Sequence, residues 1–325
     1  MRRKVLCAAI AGILLSSVLL GCGHTFPAEK FKESIIDLCK REYKLDVKVE
    51  TIGKTIAIYL PLPDLIDFNF SVTKSAGEKI NDVILSVSRV ALSSNAKFDF
   101  YCIIAHDIRM PEIQIVIIKS VDDVKRFLLN DISRSDYSKR MLIDIRVSPQ
   151  AQKERSVKEI FERMAVDKKT QEQVMSDFFR SEPAALADIG YWNERFYIKD
   201  VTMPEFLAEQ IANRLRIEFR EDKDLADNFI LRVVKGAYIS GRDKYFKIEV
   251  LADPKTSGWP VMDASPEKIF ASAARVAGVV VHNYHFDDFS HIEIVNLRDS
   301  HIAKVSKEDL EKFRKKKASL EEILK

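Results

Sequence analysis

Two stretches decide how this chain is read: Ser120-Val-Asp-Asp-Val-Lys-Arg-Phe127 and Ser306-Lys-Glu-Asp-Leu-Glu-Lys-Phe313. They lie 186 positions apart and share Ser, acid, Asp, aliphatic, basic and Phe positions. A serine three residues ahead of an aspartate has a physical purpose at a helix start. Its hydroxyl accepts from an orphan backbone N–H, and the acid suits the positive end of the helix. Arg89-Val90-Ala91 and Arg275-Val276-Ala277 keep the same offset, as do Leu45/Leu231 and Val47/Val233. Repetition of order, spacing and identity points to an internal duplication.

Working outward, the first copy predicts a helix over 28–43 and a half-buried strand over 45–50. In that strand Leu45, Val47 and Val49 alternate with Asp46, Lys48 and Glu50. A second strand spans Ile56 to Leu60, after a turn at Gly53-Lys54 and before Pro61 and Pro63. The clearest helix covers 76–94, with Ile80, Val83, Ile84, Val87, Val90 and Ala91 on one stripe. Strands follow near 98–106 and 112–118, and a helix begins at Ser120. The second copy runs helix 204–220, strands 229–235 and 244–251, helix 266–283, strands 289–297 and 301–305, then a helix from Ser306. The expected class is α+β: two similar α-β-β-α-β-β units, with antiparallel sheets covered by helices on one face. The units span 28–132 and 203–325. Residues 133–202 connect them, with a strand at 141–147 (Ile143, Ile145 and Val147 inward), charged helices at 152–164 and 168–180, and a strand near 195–201.

The start of the chain is of another kind. Arg2, Arg3 and Lys4 precede an apolar run from Val5 to Leu20, short of a spanning helix, and then Gly21-Cys22. Leu19-Leu20-Gly21-Cys22 resembles the lipobox of a bacterial lipoprotein signal peptide. The resemblance covers residues 1–22 only. It implies removal of residues 1–21, lipidation of Cys22, and a short tether over 22–27. Two or more acyl chains hold a protein stably on a membrane, where one does not. The implied location is the cell envelope, facing the periplasm. Gly23 stands where an inner-membrane retention signal often has Asp, which favours the outer membrane.

Arg2, Arg3 and Lys4 account for the whole formal charge of +3, so the remaining 49 basic and 49 acidic residues balance. That balance argues against a nucleic-acid partner. Of four cysteines, Cys39 and Cys102 stay in the body. They read either as small buried hydrophobes or as a disulfide in a compartment that permits one. With no C-x2-C pair, a zinc site is not indicated.

Candidate chemistry is sparse. Four of six histidines, His282, His285, His291 and His301, fall within twenty residues together with Asp287, Asp288 and Glu293. Such groups suit a transition metal, although the spacing matches no zinc motif. Solvated histidines at a helix–strand junction are the competing reading. Ser71-Val-Thr-Lys74 has S-x-x-K spacing. Ser93-Ser94-Asn95 follows too soon after it, and Lys255-Thr256-Ser257 lacks the expected glycine, so the match reads as chance. Trp259 in Gly258-Trp259-Pro260 suits either a partner contact or a cover for its own core, and Arg314-Lys-Lys-Lys317 a solvated helix end.

The functional expectation is a lipid-anchored envelope protein without a cofactor or catalytic residues. It binds the membrane through Cys22, and a protein or peptide partner at a groove or at strand edges near 45–60 or 229–251. The alternative is a periplasmic metal-dependent hydrolase built on the His282–His301 cluster.

Overall fold

The computed structural model describes residues 26–67, 71–148, 186, 189–255 and 266–323. The leader, Cys22, the expected helices at 152–164 and 168–180, and Trp259 lie outside the described residues.

A 3-10 turn at Ala28–Lys30 leads into α1 (Phe31–Tyr43), which buries Phe31, Ile35, Leu38 and Cys39. Lys44 ends it in the left-handed region (φ 59°), and the Leu45 N–H returns to the Cys39 carbonyl. Strands β1 (Lys48–Ile52) and β2 (Thr55–Leu62) form a hairpin. Its turn needs Gly53 (φ +53°), where an added Cβ would sit 2.1 Å from Asp200 Oδ2. Thr73 caps α2 (Lys74–Ser93), accepting from the Ala76 N–H, and the stripe Ile80, Val83, Val87 and Val90 is buried. Strands β3 (Phe100–Asp107) and β4 (Ile113–Ser120) precede α3 (Val121–Leu128), capped by Ser120, and α4 (Arg134–Lys139). Strand β5 (Leu142–Val147) completes a five-stranded sheet in the order β1-β2-β3-β4-β5.

A two-stranded ribbon, β6 (Gly190–Trp192) and β7 (Arg195–Tyr197), joins this half to the next. Helix α5 (Met203–Glu221) starts with a capping box: the N–H and Oγ1 of Thr202 both donate to the Glu205 carboxylate. The short α6 (Lys223–Asn228) leads to β8 (Phe229–Ser240) and β9 (Lys244–Pro254). Helix α7 (Pro266–Asn283), strands β10 (His291–Asn296) and β11 (His301–Ser306), and helices α8 (Lys307–Arg314) and α9 (Leu320–Ile323) close the chain. The second sheet has the order β8-β9-β10-β11. Among the described residues no helix is long and apolar enough to cross a membrane.

The α+β class holds, with antiparallel-rich sheets. One expectation changes: β2–β3 and β9–β10 pair in parallel. A long helix, α2 or α7, returns the chain to its starting end between those strands, so both strands run the same way. Alternation at 45–50 and 244–251 reported half-burial, not strand direction. The sets β1–β4 and β8–β11 thus share both order and the sequence antiparallel, parallel, antiparallel.

A second change concerns cover. Helices α1 and α2 pack on one face of the first sheet, over Ile56, Ile58, Leu60, Tyr101, Ile103, Ile115 and Ile117. The other face, with Phe100, Cys102, Ile104, Val116, Ile118 and Leu142, shares a core with α5, α7 and the second sheet. Every residue of β4 is therefore buried. Helix α5 lies between the sheets, burying Phe206, Leu207, Ala208, Ile211, Ala212 and Leu215, and Glu209 and Gln210 as well. Phe206 meets Phe100 with ring centroids 5.0 Å apart. Gly236 on β8 lets the helix approach, since a Cβ there would lie 2.3 Å from the Ala208 carbonyl oxygen. Each large apolar side chain buried in this layer contributes about 1.5–3 kcal/mol.

β5 also departs from its predicted facing. Leu142 is buried, whereas Ile143 is 48 % exposed. Ile145, on the same face as Ile143, packs against the core under α1 and α2, as expected. Cys39 and Cys102 are both free and buried, one on the inward side of α1 and the other on the opposite face of the first sheet. The disulfide alternative is thereby corrected, and burial pushes the Cys102 thiol up to about 12.

Candidate functional site

The histidine-rich segment follows the end of α7. His285 takes a left-handed conformation (φ 50°), and the N–H groups of His285 and Phe286 return to the carbonyls of His282 and Val281. This turn sets the His282 and His285 rings 6.0 Å apart. Both line a cleft of about 320 Å³, floored by Val281, Phe286, Phe289 and Leu310 and rimmed by Asp287, Lys307 and Glu311. Its charges are already paired. Lys307 Nζ lies 3.0 Å from Asp287 Oδ1 and donates to the Asp287 carbonyl at 2.8 Å. Glu311 accepts from Arg314 and Lys315, which draw its carboxyl down to about 2.

The other histidines go elsewhere. His291 and Glu293 share the outward face of β10, as alternation with Ile292 and Ile294 requires. The His291 ring stacks on Tyr245 at 4.6 Å, with Nδ1 2.7 Å from Ser290 Oγ and Nε2 3.3 Å from Glu293 Oε1. His301, at the start of β11, packs on Phe270 at 5.1 Å. The expected cluster is thus divided among a helix-end cleft, a sheet face and a strand end. Among the described residues, no group of three or more His, Cys, Asp and Glu side chains is placed to hold a metal ion. In Ser71–Lys74, Thr73 Oγ1 donates to the Asp64 carbonyl and caps α2, which is a structural use of the segment. Arg314 and Lys315 pair with Glu311 at the end of α8.

The residues that sequence reasoning missed lie where the two halves meet. Asp123 of α3 is buried, with Arg140 Nη1 donating to Oδ1 at 2.9 Å and Tyr284 Oη donating to Oδ2 at 2.6 Å. Arg126 Nη1 donates to the Asn283 carbonyl at 2.9 Å, and Gln210 Nε2 to the Arg140 carbonyl at 2.6 Å. This network ties α3 and the loop after α4 to α5 and the end of α7. Beside it, Lys119 is 1 % exposed, with Nζ over the Tyr137 ring. Burial brings its amine down to about 7, against the smaller opposing pull of Asp123. Burial also pushes the Tyr284 phenol up and the Arg214 guanidinium down. The only advance signal was Lys119 itself, a lysine closing the aliphatic run Ile115–Ile118. The partners of Asp123 lie 17 and 161 residues away, and nothing local announces them.

The outward face of the second sheet has a different character. Phe246, Ile248 and Val250 point inward, while Tyr245, Lys247, Glu249, His291, Glu293, Ile302 and Lys304 point away. Lys247 pairs with Glu249 at 2.6 Å, and Lys304 lies 3.9 Å from Glu293. Ile230 and Ile302, at the two edges, are more than half exposed. Among the described residues no strand pairs with the outer edge of β8 or of β11. No family model, curated protein or solved structure matches the chain.

Proposed function

We propose that this is a lipid-anchored protein of the bacterial cell envelope, facing the periplasm, whose body binds or scaffolds another envelope protein or peptide without catalysing a reaction. The lipobox-like Leu19-Leu20-Gly21-Cys22 supports the anchor, with Cys22 the lipidated residue. The entry of the chain into the body supports a close tether. The Phe26 N–H donates to the Ser93 carbonyl, and the Ala28 N–H to Asn95 Oδ1 at 2.9 Å. Four residue steps from Cys22 to Phe26 reach about 14 Å at most. Gly23 favours the outer membrane.

The observation that carries the binding reading is the second sheet, which among the described residues presents unpaired edges and a mixed apolar and charged face. The cleft beside His282 and His285 offers only acids already neutralised by their own lysines and arginine. The matching order and pairing of β1–β4 and β8–β11 favour an origin by duplication, the first copy being the one closed off by the second. Intact-mass measurement of the protein from membranes tests the anchor. A mass corresponding to acylated Cys22 as the first residue is expected, and an unmodified Cys22 or cleavage elsewhere refutes it. Co-purification through the native anchor, with the partner identified and the complex reconstituted from the two purified proteins, tests the binding role. A body that reconstitutes with nothing and turns over a substrate contradicts it.

A further inference from the structure

The two sheets carry the same four strands but do not end alike. Beyond β4 the first sheet has a fifth strand: β5 runs antiparallel, with Ile118 opposite Leu142, Val116 opposite Asp144 and Gln114 opposite Arg146. In the second sheet β11 holds the place of β4. Each is the last strand, antiparallel to its neighbour, and each runs into a helix capped by its own serine, Ser120 or Ser306. Among the described residues nothing holds the place of β5 beside β11. We propose that the free edge of β11 takes up a fifth strand, antiparallel, from an extended segment of another polypeptide. This rests on the binding reading above and names its site and the chemistry of its partner.

Comparison of the edges favours β11. β1 has five residues, and the Lys32–Glu50 ion pair reaches across its flank. β8 is long but bulged between Val233 and Lys235, which breaks a regular ladder and bends the strand. On β5 the Arg146 side chain already donates to the Ile189 carbonyl at 2.5 Å. β11 keeps an unbroken register with β10 over all six residues, and His301, Ile302 and Lys304 are exposed. A regular unpaired edge is a template for strand addition, in which the main chain supplies affinity and alternate side chains supply selectivity.

The neighbour on the paired side shows which side chains suit β11. Ile292 lies opposite Val305, Glu293 opposite Lys304, Ile294 opposite Ala303 and Val295 opposite Ile302. Directly opposed residues share a face in any antiparallel pair. A strand on the free side therefore meets the same alternation: aliphatic side chains against Val305, Ala303 and Ile302, and an acid against Lys304. The Lys304 side chain is 57 % exposed, and its Nζ lies 3.9 Å from Glu293 Oε1, so it can reach a second carboxylate.

The probe is a fluorescent, photo-reactive peptide with the sequence of Ser290–Leu297, titrated against the full chain in detergent micelles. Saturable binding is expected, with cross-links confined to 301–306. Lys304→Glu is expected to weaken binding about fivefold, and a peptide carrying Lys in place of its Glu to restore it, as inverted cross-strand charges predict. Lys304 is at the surface, so the variant keeps the fold. Absence of binding, equal binding of a scrambled peptide, or cross-links on β8 or elsewhere overturns the proposal. Those outcomes, with Cys22 lipidated and a partner still reconstituting through another face, remove β11 as the docking edge and leave the envelope reading standing. An unmodified Cys22 removes the anchor and leaves the result at β11 standing.

Discussion

Val116 and Ile302 stand 186 residues apart, on β4 and β11, and so do Ile118 and Lys304. In the first sheet Val116 and Ile118 are 1 % and 2 % exposed, sealed under the layer that holds α5. In the second sheet Ile302 is 55 % exposed and Lys304 stands in solvent. The facing helix side reverses the pattern: Lys119 is buried, and its counterpart Val305 is an ordinary core residue. The serine-capped helices diverge in the same way. Asp123 is locked to Arg140 and Tyr284, whereas Asp309 accepts from Ser306 and Lys312 near the surface. One supersecondary arrangement thus serves two ends. The first sheet gives up its free face and is joined through a polar network, while among the described residues the second sheet keeps a face and an edge.

Lysine at the corresponding aliphatic positions should separate the two sheets most. Val116→Lys puts an uncompensated charge in the shared core and costs about 3–5 kcal/mol, or unfolds the chain. Ile302→Lys changes stability by about 0.5 kcal/mol or less. Urea denaturation read by circular dichroism measures both, and equal losses would mean that β11 is covered like β4.

The aspartates give the next largest contrast. Asp123→Ala leaves Arg140 buried without its carboxylate and should cost about 3–5 kcal/mol. Asp309→Ala removes a surface capping contact and should cost about 0.5–1 kcal/mol. The same denaturation assay decides, and a cost for Asp309→Ala as large as that for Asp123→Ala would show the two sites to be alike.

Lys119→Met should stabilise, by about 1–3 kcal/mol, because it removes an amine whose charging the interior opposes. The pH dependence has a definite sign. An amine at about 7 in the fold and 10.5 in its ordinary state lets the unfolded chain bind more protons between those values. Stability therefore rises with pH across that window and is flat below it. The wild-type melting temperature should climb relative to that of Lys119→Met between pH 7 and 9. Parallel curves would contradict the burial of a near-neutral amine. Above pH 9 the Cys102 thiol, held at about 12, acts in the opposite direction: the unfolded chain releases its proton first, so stability falls.

Much of the fold was legible in the sequence. The apolar stripe over 76–94 became α2, and both Ser-x-x-Asp starts became capped helices with the Ser at the N-cap. Strand direction was not legible, since Lys48–Ile52 and Lys244–Pro254 alternate in the same way whether a neighbour is parallel or not. The exposure of Ile143 was not legible because alternation assigns a face and not its cover: Ile145 on that face is packed and Ile143 is not. The histidines failed as a cluster for a related reason. A helix end, a turn and two antiparallel strands send His282, His291 and His301 in different directions although they are close in sequence. The Asp123–Arg140–Tyr284 network could not be read because long-range packing alone brings its members together.

Residue-level hydrogen exchange on the intact chain tests the contrast between the halves most directly. The amides of Ile115–Ile118 should exchange only through global unfolding. In β11 every second amide lacks a partner in β10 and should exchange rapidly in the free protein. Protection throughout β11 equal to that of β4 would show its edge already occupied, and would contradict a second sheet left open for binding.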